Sequence, residues 1–78
     1  MIDRITEIYV VQTLQTNSGY HTTSFNKDDN NYAKEDAIDC YNKIAKEKST
    51  VHVRLCLTIF VEGEKETRYD ITLREEWP

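Results

Sequence analysis

The sequence predicts an α+β two-layer domain: a ββαββ chain with one helix packed on one face of a four-stranded antiparallel sheet of order 2-1-3-4. Three observations predict it. Between Val51 and Val61 the odd positions read Val, Val, Leu, Leu, Ile, Val and the even positions His, Arg, Cys, Thr, Phe. This is the period-2 signature of a strand with one buried face. From Tyr32 to Lys48 the apolar residues instead recur at helical spacing. Finally, Thr16-Asn17-Ser18-Gly19 and Glu62 to Glu66 are short polar stretches that join neighbouring alternating runs into hairpins.

The first strand, Ile5 to Gln15, is apolar on both sides. Ile8, Val10 and Leu14 are expected on the core face, and Tyr9, Val11 and Thr13 on the other. With all four turn residues in the loop, Gln15 pairs with Tyr20 and Val10 with Phe25, so Phe25 joins the core and Tyr9 shares the open face with Tyr20 and Thr22. A three-residue loop would shift this register by one and turn Phe25 over. Next comes the polar run Asn26 to Asn31, in which any of Asp28, Asp29 and Asn30 can cap the following helix. That helix places Ala33, Ala37, Ile38, Tyr41, Ile44 and Ala45 on one arc, with Asp36, Asp39, Lys43, Lys46 and Glu47 opposite.

Val51 to Val61 follows as a central strand whose odd face the helix covers. Thr67 to Arg74 completes the sheet, and keeping both apolar faces together requires Val61 opposite Thr67, Ile59 opposite Tyr69 and Leu57 opposite Ile71. The two polar-rich strands fall at the edges, as the order 2-1-3-4 demands. Trp77 either folds back on the core edge or stays exposed.

With 78 residues the chain makes a single domain spanning 1–78, with one modest core and no interdomain cleft. A net charge of −4, with acids grouped at Asp28-Asp29, Glu35-Asp36, Glu62 to Glu66 and Glu75-Glu76, disfavours a phosphate backbone and suits a basic partner. Cys40 and Cys56 fall on a helix and on a strand face pointing away from it, so free thiols and a reducing, cytoplasmic setting are expected. The chain opens directly into strand-like sequence, with no apolar signal core and no run near the ~20 apolar residues a membrane span needs.

No residue set carries catalysis. His52 and Cys56 share a strand face, but four residues of strand separate them by roughly 13 Å, beyond any hydrogen bond. His21 has no candidate partner. Asp28 to Asn31 lacks the mid-loop glycine and the spaced glutamate of a calcium loop, so helix capping is the better reading. No cofactor or metal is expected.

What remains is surface chemistry. The face opposite the helix is expected to collect Tyr9, Tyr20, His52, Arg54, Phe60 and Arg68, residue types enriched at protein interface hot spots. Aromatics interleaved with arginine also suit single-stranded nucleic acid, but that reading must work against the net charge. The acidic loop at Asp28 and Asp29 offers a second contact surface, steering toward a basic partner.

The layout, a hairpin from Tyr9-Val10-Val11 to Phe25, a helix Lys34-Glu35-Asp36-Ala37-Ile38-Asp39-Cys40-Tyr41 and a second hairpin, resembles small accessory proteins of phages and mobile elements, anti-CRISPR inhibitors among them. The resemblance implies a stoichiometric inhibitor, monomer or homodimer, that masks a nucleic-acid site on a host complex without chemistry. The expectation is therefore a non-enzymatic protein-binding module, with a small nucleic-acid-binding regulator as the alternative.

Overall fold

The computed structural model describes residues 2–63 and 65–78, with side chains from residue 4 onward; Glu64, which the sequence places in the second hairpin loop, lies outside the described residues. The elements are β1 (Ile2–Gln15), β2 (Gly19–Asn26), α1 (Ala33–Ala45), β3 (Thr50–Gly63) and β4 (Thr67–Glu76). All strand pairs are antiparallel, and the sheet order is β2-β1-β3-β4, as the distribution of polar strands predicts.

The second hairpin forms in the expected register, with Val61 opposite Thr67, Ile59 opposite Tyr69 and Leu57 opposite Ile71. The first differs in two respects. Its loop is three residues, Thr16 to Ser18, so Gln15 pairs with Gly19, Leu14 with Tyr20 and Tyr9 with Phe25. Asn17 and Gly19 take φ values of 70° and 74°, the left-handed conformations that let a short loop match strand twist. The face assignment of β1 is also reversed. Tyr9, Val11 and Thr13 are buried beneath the helix, while Ile8, Val10 and Leu14 lie half-buried on the open face. The cause is the register with β3, which sets Tyr9 beside Leu57, Val11 beside Leu55 and Thr13 beside Val53. Phe25 still packs against the core, because a one-residue change in loop length and an inverted β1 face cancel.

Ala33, Ala37 and Tyr41, at successive i,i+4 positions, form the buried stripe of α1. Small side chains at the first two let the helix lie close on Val11, Val53 and Leu55. Neither aspartate of the preceding loop caps α1. Asn30 organises the entry instead, accepting the Tyr32 N–H on its side-chain oxygen at 2.9 Å and donating to Asp36 at 2.6 Å. At the other end the Thr50 hydroxyl donates to the Ile44 carbonyl at 2.7 Å, tying the end of α1 to the start of β3.

Element lengths then decide the shape. At 1.5 Å per residue a 13-residue helix covers about 20 Å, whereas a 14-residue strand at roughly 3.3 Å per residue runs about 46 Å. The molecule measures 47 × 22 × 18 Å, so the helix roofs only part of the sheet.

Candidate functional site

The covered, proximal half holds the core: Val11, Val53, Leu55 and Tyr41 are almost completely shielded. Tyr41 donates its hydroxyl to Glu76 at 2.8 Å. Burial, reinforced by that bond and by the charge of Glu76, pushes the Tyr41 phenol up to about 12.

Beyond Tyr9 and Leu57 no second layer covers the same face among the described residues. Because β2 ends at Asn26, opposite Ile8, the sheet narrows there to β1, β3 and β4. Alternation places Ile5, Ile59, Val61, Tyr69 and Ile71 on the helix side of this distal half. Ile5 and Tyr69 are each 54% exposed and Ile71 45%, while Ile59 and Val61 are half-buried. Leu73, inserted as a β-bulge where Leu55 pairs with Arg74 and Cys56 with Thr72, adds a further exposed side chain. Together these side chains make a contiguous apolar strip facing solvent, the kind of surface that marks an interaction site.

One flank of this strip is charged. The loop after β2 runs alongside it, and Ile5, Glu7, Lys27, Asp28 and Asn31 line a depression of 460 Å³. Lys27 donates to Glu7 at 3.0 Å, and Arg4 binds Asp28. Both cations are held above their usual pKa, chiefly by those hydrogen bonds. Asp29 on the same loop is exposed, as are Glu62 and Glu66 near the distal tip.

On the open face the expected residues are present in part. Tyr20 lies there, strongly exposed. Tyr9 does not; it is a core residue on the opposite side, because the β1–β3 register sets it beside Leu57. His52 is buried on the open face, its Nε2 2.8 Å from the Glu75 carboxylate and its ring 4.1 Å from that of Trp77. Trp77 thus folds back and stays exposed at once. Arg54 is half-buried and donates to the Gln12 side chain. Arg68 sits 5.5 Å over the Phe60 ring and binds Asp70 at 3.2 to 3.3 Å.

Asp70 also accepts the Thr58 hydroxyl at 2.7 Å. That bond, ahead of the charges of Arg68 and Arg54, holds its carboxyl below the usual range. Together Gln12, Arg54, Cys56, Thr58, Asp70 and Thr72 line a polar depression of 300 Å³. Most of its polar side chains bond one another, but the buried Arg54 Nε has no hydrogen-bond partner among the described residues.

His52 and Cys56, which share the open face, are each in contact with another group: His52 Nε2 with the Glu75 carboxylate and the Cys56 thiol with the Thr72 hydroxyl. Both cysteines are free, and burial pushes the Cys40 thiol up. Among the described residues no cluster of His, Cys, Asp and Glu is arranged to hold a metal, and no helix is long and apolar enough to cross a membrane.

Alternation alone left the bare strip invisible, because Ile59, Tyr69 and Ile71 read as core on a face that a helix was expected to cover. The available signal was length. Even a helix from Tyr32 to Lys48 would span only about 26 Å of a sheet nearly twice as long.

The chain is thus an α+β two-layer domain whose second layer stops short of one end of the sheet. No protein-family model, curated protein or solved structure matches it.

Proposed function

We propose that the chain is a non-enzymatic protein-binding module whose docking surface is the uncovered distal strip of Ile5, Ile59, Tyr69 and Ile71. The observation that carries this reading is that, among the described residues, no second layer covers that strip, since a sheet face of this composition gains stability only when something covers it. The acidic groups around it, Asp28 and Asp29 on the flank with Glu62 and Glu66 near the tip, specify a partner with an apolar ridge and a basic rim. Such a partner is what a nucleic-acid-handling complex offers, and an inhibitor seated there would exclude the nucleic acid by bulk and by charge. The resemblance to phage-encoded inhibitors supports the same reading. In a reducing cytoplasm both thiols would stay free.

A capture experiment from source-cell lysate tests it. The partner retained by the wild-type chain should be lost with Ile5→Ser/Tyr69→Ser/Ile71→Ser, weakened by Asp28→Lys/Asp29→Lys and kept by Tyr20→Ser. Loss with Tyr20→Ser alone would move the site to the open face. Titration of single-stranded RNA and DNA at low salt addresses the nucleic-acid alternative, and the expected result is no measurable affinity, because Arg68 is engaged by Asp70 and a net charge of −4 opposes a phosphate backbone.

A further inference from the structure

The outer edge of β4 makes a separate proposal, independent of what covers the sheet face. We infer that the chain forms a two-fold dimer in which the Thr67 to Ile71 segments of two copies pair antiparallel, centred on Tyr69, to give a continuous eight-stranded sheet. β4 ends the sheet order, so its outward N–H and C=O groups have no strand partner. A two-fold axis perpendicular to the sheet allows only registers centred on a residue, since side chains directly opposite must share a face. The charges of β4 select among them. Arg68 and Asp70 flank Tyr69 on the open face, so centring on Tyr69 sets Arg68 opposite Asp70 twice and Tyr69 opposite itself.

Moving the centre by one residue is penalised either way. A centre at Arg68 opposes two arginines, and one at Asp70 opposes two aspartates. Farther along, the bulge at Leu73 interrupts the strand and confines pairing to the part beyond it. The charges are also held in place before any partner arrives: the Thr58 hydroxyl fixes Asp70, and the Phe60 ring supports Arg68. Joined across the axis, the two Arg68–Asp70 pairs become one cluster of four alternating charges, which outperforms isolated surface pairs.

Charge exchange tests the register directly. Sedimentation of the full wild-type chain should show a concentration-dependent dimer. Arg68→Glu and Asp70→Lys should each weaken it by about tenfold or more, since two attractive cross-strand pairs become repulsive. Mixed in equal amounts, the two variants should form a heterodimer. The carboxylate introduced by Arg68→Glu in one chain then faces the ammonium introduced by Asp70→Lys in the other, while the unaltered Asp70 of the first faces the unaltered Arg68 of the second. Both variants keep a net negative charge, so bulk attraction cannot imitate this result. Circular dichroism of each variant, expected to match the wild type, keeps unfolding apart from dissociation. A wild-type chain that stays monomeric from micromolar to millimolar concentration overturns the proposal, and so does a mixture of folded variants that fails to associate.

Discussion

The two halves of the helix-side sheet face share an alternation pattern and differ in what lies above it. In the proximal half Val11, Val53 and Leu55 meet Ala33, Ala37 and Tyr41 and are shut away from water. In the distal half Ile5, Tyr69 and Ile71 meet solvent. Similar strand chemistry is therefore packed into the core at one end and left in contact with solvent at the other. The boundary is set by the reach of a helix that rises less than half as far per residue as the strands beneath it.

The sharpest way to break this comparison is a pair of matched truncations. Leu55→Ala should cost about 2–5 kcal/mol in denaturant unfolding, because it opens a cavity under the helix. Ile71→Ala removes a similar side chain from a site that is not enclosed and should change stability by no more than about 0.5 kcal/mol. Equal losses would mean that the distal strip belongs to the core.

Tyr41→Phe probes the join between helix and sheet and should cost about 1 kcal/mol, since only the bond to the exposed Glu76 is lost. The same contact gives an alkaline signature. The folded-state pKa of Tyr41 is raised to about 12 from 10.0, so its contribution is fully present below pH 10 and is lost as pH rises toward 12. Stability measured over that window should fall more steeply for the wild type than for Tyr41→Phe.

The smallest effect is acidic and belongs to the other side of the distal half. Asp70 has a lowered pKa in the folded chain, so its contribution is present above 3.8 and is lost as pH falls through its folded value. Asp70→Asn should flatten acid unfolding slightly below pH 3.8, and the exposure of the group keeps the change small.

The legible parts of the fold were those where one side of an element was plainly apolar. The alternation of β3 gave its helix-facing residues Val53, Leu55 and Leu57, and the pairing of Ile59 with Tyr69 followed from matching two such faces. In contrast, β1 is apolar on both sides, so counting aliphatic residues chose Ile8, Val10 and Leu14 where the register with β3 chose Tyr9, Val11 and Thr13. Loop length at Asn17 and Gly19 depends on left-handed backbone angles that composition permits but does not dictate. Of the anticipated surface, Tyr20, Phe60 and Arg68 lie on the open face, Tyr9 is in the core, and His52 is covered by Glu75 and Trp77. The distal strip could be read only by comparing element lengths, which hydrophobic periodicity does not report.

The most direct test of the division between the two halves is partner capture by Ile5→Ser/Tyr69→Ser/Ile71→Ser, run beside wild type at matched melting temperature. The structure predicts a variant that melts with the wild type and no longer retains the wild-type partner. A variant that melts normally and retains that partner undiminished would contradict the assignment of the distal face as the docking surface.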